Sequence, residues 1–78
     1  MRDNIEKTVR QIMADILNLS AERIEEGTSM DNTEAWDSAN HINLVLALEE
    51  EFGIALDVNE IESMVSFPDV VQVVAAKV

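Results

Sequence analysis

The sequence predicts an all-α protein, a small bundle of three main helices and one short helix. Two segments, residues 5–17 and 42–52, carry apolar side chains at the three- and four-residue spacing of a helix. The chain has 78 residues and no cysteine. Disulfides and thiolate metal sites are therefore excluded, and helix packing is the remaining route to a stable core.

The first predicted helix has one apolar face and a clear end. Its face is made by Ile5, Val9, Ile12, Met13, Ile16 and Leu17. Asn18 is expected to end the helix. A long polar loop then runs to Trp36, and loops of this length in small domains often carry function. We expect Leu19, Ile24 and Met30 to pin this loop to the core.

The second helix is predicted to begin at Asp37 or Ser38, since both are good N-cap residues. Gly53 follows Phe52 where a glycine commonly ends a helix. The apolar stripe between these ends is wider than one buried face requires. Some of its side chains should therefore be exposed or line a cavity.

Two further helices are expected after Gly53. A short one is predicted over residues 57–65, with Val58, Ile61, Met64 and Val65 pointing inward. Ser66 is expected to cap a last helix that reaches about Lys77. Its valine-rich run would favour a strand in isolation, but the cap and the lack of a partner strand favour a helix. We predict one domain over residues 1–78.

The charge of the chain limits its partners. The net charge is −11, and residues 24–76 hold twelve Asp and Glu but no Lys or Arg. Such a surface repels nucleic acid and anionic membranes, and it favours partner proteins with basic patches. No apolar run approaches the roughly 20 residues of a membrane span. We expect a cytoplasmic monomer that binds neither nucleic acid nor membrane.

Ser38 lies close to Asp37 and His41, a combination that invites comparison with a hydrolase. A hydrolytic site also needs an oxyanion hole, an oriented base and a substrate pocket. A chain of this length has too little remaining material to build them, so we predict that the protein is not an enzyme. His41 is expected at the surface or at the mouth of a pocket. Taken locally, Ser38 could serve only as a helix cap.

A metal site is not predicted. Residues 31–34 begin like a calcium-binding EF-hand loop. The sixth position of that loop is Trp36 where glycine is required, and the twelfth is Ile42 where glutamate is required.

The segment Trp36-Asp37-Ser38-Ala39, followed by the run INLVLALEEEFGI, resembles the acyl carrier proteins. The resemblance covers essentially the whole chain and implies a four-helix bundle of the acyl-carrier type. It implies that Ser38, flanked by Trp36, Asp37 and Ala39, receives a 4′-phosphopantetheine arm. A separate, magnesium-dependent phosphopantetheinyl transferase would install the arm from coenzyme A, and its terminal thiol would carry acyl groups as thioesters.

The resemblance also implies two sets of supporting residues. Recognition by acyl-loading and acyl-transfer enzymes with basic docking patches would involve Asn43, Leu46, Glu49, Glu50, Leu56 and Glu60. A cavity for the acyl chain would be lined by Ile42, Leu48, Leu56, Ile61 and Met64.

Three departures from the family pattern point to a specialised, free-standing carrier. Ala39 stands where leucine is usual, Asn40 and Asn43 stand where acids are common, and Ala35-Trp36 replaces a usual glycine. Two alternatives stay open. One is a peptidyl or aminoacyl carrier, and the other is an acidic helical interaction module with no prosthetic group.

Overall fold

Four α-helices and one 3₁₀ turn make up the fold in this computed structural model, which describes residues 2–78 and their side chains from residue 4 onward. The elements are α1 (Arg2–Leu17), a 3₁₀ turn (Ala21–Arg23), α2 (Ser38–Phe52), α3 (Val58–Ser63) and α4 (Phe67–Lys77). The all-α class and the predicted order of helices are confirmed. The prediction of a single domain stays a prediction.

The core is formed where α1 packs against both α2 and α4. Its buried side chains include Val9, Met13 and Leu17 of α1, Leu44, Val45 and Leu48 of α2, and Val70, Val71 and Val74 of α4. The apolar stripe predicted for α1 is therefore the face that packs. Asn18 ends α1 in the left-handed conformation, with a φ of 57°. Asparagine is one of the few residues other than glycine that adopts this conformation readily.

The long loop between α1 and α2 is fixed to the rest of the fold. The backbone N–H of Met30 donates to the carbonyl of Val65, and the N–H of Phe67 donates to the carbonyl of Thr28, each at 2.9 Å. Three apolar side chains also hold the loop, as predicted: Ile24 is buried, and Leu19 and Met30 pack half-buried against the core. The loop therefore reaches Ser38 as an ordered segment.

The short helix α3 ends earlier than the sequence predicted. Asp57 caps it, because its carboxylate accepts the N–H of Glu60 at 2.8 Å and the Glu60 carboxylate accepts the N–H of Asp57 at 3.0 Å. Ile61 and Met64 turn inward as expected, but the inward placement of Val58 and Val65 is wrong: they are 67% and 48% exposed. Val58 opens a helix of only six residues and Val65 lies beyond its end, so one helical face does not bring both inward.

The last helix confirms the preference for a helix over a strand. The hydroxyl of Ser66 accepts the N–H of Asp69 at 3.3 Å, and Pro68 lies in the first turn. The valine-rich run then buries Val70, Val71 and Val74. Capping and packing thus outweigh the β-propensity of the valines.

Candidate functional site

The start of α2 answers the question that the sequence left open about its cap. Asp37 is the N-cap, and its carboxylate accepts the backbone N–H of Asn40 at 2.9 Å. Ser38 is the first helical residue and is exposed. Because Asp37 does the capping, the cap-only explanation of Ser38 is wrong. Its hydroxyl lies at the surface, at the beginning of a fifteen-residue helix.

The environment of Ser38 suits an attached phosphate. The first turn of α2 contains no acidic residue. The backbone N–H groups and the dipole at a helix N-terminus favour negative charge. Ala39, next along the helix, is small and exposed. A phosphodiester on Ser38 would therefore not be crowded by Ala39. The neighbouring carboxylate of Asp37 precedes the first turn and accepts the N–H of Asn40.

Two side-chain hydrogen bonds cross the segment that carries Ser38. The amide nitrogen of Asn40 donates to the carbonyl of Ala35 at 2.7 Å. The indole Nε1–H of Trp36 donates to Nδ1 of His41 at 3.0 Å. An ionised aspartate at position 40 has no N–H to donate, so the first bond requires the amide. Asn40 and Trp36, which depart from the family pattern, are thus both structural parts of this junction.

His41 is buried, at 8% exposed, so the expectation of a surface or pocket-mouth residue is wrong. Its Nδ1 accepts from Trp36, and its Nε2 lies 2.8 Å from the carbonyl oxygen of Ile61. A carbonyl only accepts, so Nε2 carries the proton. With both ring nitrogens engaged, His41 is not placed to take a proton from Ser38. Neither partner is predictable from the local sequence pattern, and one of them lies twenty residues away.

The residues predicted to recognise partners divide into two groups. Asn43, Leu46 and Glu50 are exposed. Their spacing of three and four residues places them on one outer face of α2. The Glu49 carboxylate instead accepts the N–H of half-buried Leu56 at 2.8 Å.

Glu60, the sixth predicted recognition residue, lies within a small polar cluster. Its carboxylate is 2.8 Å from Nζ of Lys77, which also donates to the carbonyl of Ala55 at 2.7 Å. The backbone N–H of Asp57, and then Lys77, hold the pKa of Glu60 below its usual value. Sequence reasoning missed Lys77. The available signal was that it is the only Lys or Arg after Arg23.

The five predicted cavity residues lie at different depths. Leu48 and Met64 are fully buried, Leu56 and Ile61 are half-buried, and Ile42 is 53% exposed. Leu46 is also 58% exposed. The expectation that part of the apolar surplus on α2 would be exposed is therefore confirmed. The role of the five predicted cavity residues in holding an acyl chain stays a prediction.

Metal centres and membrane-spanning helices are two other classes of feature. From Asn4 to the end of the chain, no three His, Cys, Asp or Glu side chains are grouped so as to hold a metal ion. Within residues 2–78, no helix has the length and apolar character needed to cross a membrane.

Comparison with known proteins identifies the family. The family model described as "Phosphopantetheine attachment site" matches residues 7–76. The chain belongs to this family. The acyl carrier protein of Sinorhizobium fredii (strain NBRC 101917 / NGR234) is 33% identical over 69 residues, which is 88% of each chain. The acyl carrier protein of Nitratidesulfovibrio vulgaris (strain DP4) is 30% identical over 74 residues, 95% of this chain and 97% of the relative.

These findings establish the general role of the chain. It has a carrier function, and its prosthetic group is a covalently attached 4′-phosphopantetheine. Carrier domains of this type are generally non-catalytic, and they interact with phosphopantetheinyl transferases and acyl-handling enzymes. The family resemblance carried by residues 36–39 and the run that follows them is confirmed.

Proposed function

We propose that Ser38 is the residue to which the phosphopantetheine arm is attached, and that a separate, magnesium-dependent phosphopantetheinyl transferase installs it from coenzyme A. The observation that carries this proposal is the division of labour at the start of α2. Asp37 caps the helix, and Ser38 follows it as an exposed first residue. The Ser38 hydroxyl is thus available to a second enzyme.

The chain and the arm contribute different chemistry. When bound, the arm supplies the thiol that carries acyl groups as thioesters, which a chain without cysteine lacks. The residues of the chain hold the attachment point. Asp37 fixes where α2 begins, and the helix N-terminus stabilises the negative charge of the phosphodiester.

The outer face of α2 is the surface that we propose for presenting the cargo. Asn43, Leu46 and Glu50 lie there, exposed, on the helix that begins at Ser38. An exposed leucine beside acidic groups offers a partner both an apolar contact and a negative patch. Acyl-loading and acyl-transfer enzymes with basic docking surfaces would bind this face with salt-sensitive affinity. A cytoplasmic location and a monomeric state stay predictions from the sequence.

We further propose that the chain is a specialised carrier. Ala39, Asn40 and Asn43 lack the bulk and charge that the common pattern places beside the arm. The test is acylation and elongation of the loaded protein by fatty acid synthase enzymes. Poor turnover beside a competent control carrier supports specialisation, whereas efficient turnover contradicts it. Loading with aminoacyl groups instead of acyl groups would favour the peptidyl-carrier alternative.

Intact mass spectrometry tests the attachment. The protein is incubated with coenzyme A, magnesium and a promiscuous phosphopantetheinyl transferase, and the expected result is a gain of one phosphopantetheine. Ser38→Ala should abolish the gain. Ser20→Ala is the matched control, because Ser20 is also exposed, precedes a helical turn and makes no side-chain cap. A protein that stays unmodified while a control carrier is loaded would favour the interaction module without a prosthetic group.

A further inference from the structure

The imidazole of His41 joins three separate parts of the fold. Trp36 comes from the end of the long loop, His41 from the first turns of α2, and Ile61 from α3. The indole N–H can only donate and the Ile61 carbonyl can only accept, so a neutral ring protonated at Nε2 satisfies both. Rotation of the ring, or a change of tautomer, breaks both bonds together.

The bond to Trp36 encloses the segment that carries Ser38. Trp36 lies two residues before Ser38 and His41 lies three residues after it. Trp36 is 1% exposed, so its indole ring is held by the core. The hydrogen bond between the two rings therefore ties the N-terminus of α2 to a fixed point on the loop. The segment from Trp36 to His41, which contains Ser38, is thus closed by a hydrogen bond between its two ends.

The bond to Ile61 adds a polar contact to a short helix whose apolar contacts come from half-buried Ile61 and, just past its end, from buried Met64. None of the residues of α3 is buried. The N-terminal half of the helix is held by its capping box and by the contact between Lys77 and Glu60. His41 reaches the other half, where the Ile61 carbonyl also accepts the N–H of Met64 at 3.4 Å. This partly buried hydrogen bond joins the second half of α3 to α2.

We propose that His41 is a positioning residue that couples the presentation of Ser38 to the docking of α3. This inference rests on the proposed role of Ser38 as the attachment point. A displacement of α3 removes the Nε2 bond and frees the ring, which loosens the tie to Trp36. The converse also holds, since coupling between two sites through one element is reciprocal. The position in which Ser38 is presented to the transferase and to the acyl-handling partners thus depends on the docking of α3.

The test removes the hydrogen bond from Trp36 to His41 and measures two effects, hydrogen exchange in α3 and the loading of Ser38. Trp36→Phe keeps an aromatic ring in the core but removes the N–H that fixes Nδ1 of His41. Amide hydrogen exchange should become about 5-fold faster in α3, as expected for the loss of the hydrogen bond between His41 and Ile61. The value of kcat/KM for loading Ser38 by the transferase should fall several-fold.

A conservative variant separates the two bonds. In His41→Asn, the side-chain oxygen lies near the position of Nδ1 and accepts from Trp36, but the side chain is too short to reach Ile61. Loading of Ser38 in His41→Asn should be closer to the wild-type rate than in Trp36→Phe, while amide exchange in α3 should stay faster than in the wild-type protein. Val9→Ala, a fully buried site on α1, is the control for general destabilisation. It should not change exchange in α3 selectively.

The outcomes distinguish the coupling from the attachment. If Trp36→Phe changes loading but leaves exchange in α3 at the wild-type rate, the coupling is overturned. The same holds if Trp36→Phe loosens α3 while loading is unchanged, or if Val9→Ala reproduces the selective effect. If the wild-type protein is not modified at all, the proposed function of Ser38 fails, whereas the exchange measurement still reports separately on the link from Trp36 to α3.

Discussion

The carboxylate of Asp37 accepts a hydrogen bond from the backbone N–H of Asn40 at 2.9 Å. This one contact sets the first turn of α2 and leaves the neighbouring Ser38 hydroxyl out of helix capping. Adjacent Asp and Ser residues are both good caps, and only one of them can occupy the cap position. Once Asp37 takes that position, Ser38 has an exposed hydroxyl beside the positive end of a helix.

Removing the cap tests this arrangement. Asp37→Ala should lower the free energy of unfolding by about 1 kcal/mol, because an N–H of the first turn loses its acceptor. Asp37→Asn keeps an oxygen acceptor and should cost much less. Urea denaturation of the three proteins measures both effects. Equal losses in the two variants would mean that the charge of Asp37, and not its cap, stabilises the helix.

Leu46 and Leu48 provide a matched pair on α2. Leu48 is fully buried, so Leu48→Ala should destabilise the fold by about 2–5 kcal/mol. Leu46 is 58% exposed, and Leu46→Ala should change stability by no more than about 0.5 kcal/mol. With a partner enzyme, Leu46→Ala should nevertheless raise the KM for the loaded carrier. Unchanged kinetics with every acyl-handling partner would remove Leu46 from the proposed docking face.

The acidic surface predicts a dependence on salt. Residues 24–76 contain twelve Asp and Glu and no Lys or Arg. The mutual repulsion of these acids weakens the folded state. Salt at about 0.1 M shortens the range of this repulsion to about 10 Å. The melting temperature should therefore rise when salt or divalent cations are added to a low-salt buffer. A melting temperature that does not move would show that repulsion does not limit stability.

The contact between Glu60 and Lys77 predicts a dependence on pH. The pKa of Glu60 is lowered in the folded state by the N–H of Asp57 and by Lys77. A lowered pKa stabilises the fold above the unfolded-state pKa of a glutamate, about 4.3, and that contribution is lost as the pH falls through the folded-state pKa.

The free energy of unfolding should therefore differ between the wild-type protein and Glu60→Gln at roughly neutral pH and converge as the pH falls below about 4. Comparing the two proteins at each pH cancels the effect of titrating the other acids. A difference that persists unchanged at low pH would contradict a stabilising role for the charge of Glu60.

The helices were predictable because their signals are local. The stripe on α1, the glycine at position 53 with its φ of 64°, and the cap at Ser66 are each read from residues a few positions apart. Val58 was placed wrongly because it opens a helix of only six residues. Val65 was placed wrongly because the backbone beyond the end of α3 is held by the long loop. The carbonyl of Val65 accepts from Met30, a partner thirty-five positions earlier in the chain.

The candidate site was likewise predictable only where the signals are local in sequence. The exposure of Ser38 followed from a local motif, although the motif alone left two candidates for the cap. The burial of His41 depends on Ile61 and on the indole of Trp36, and no periodicity in the sequence reports a hydrogen bond between two side chains. The contact between Lys77 and Glu60 similarly joins two residues that lie seventeen positions apart.

The most direct test of the central claim is to locate the modification by mass spectrometry. Cleavage of the loaded protein after Glu34 and Glu49 yields a peptide of residues 35–49, in which Ser38 is the only residue with a hydroxyl side chain. The predicted result is that this peptide carries the phosphopantetheine and that fragmentation places it on Ser38. A loaded protein whose 35–49 peptide has its unmodified mass would contradict the proposed attachment.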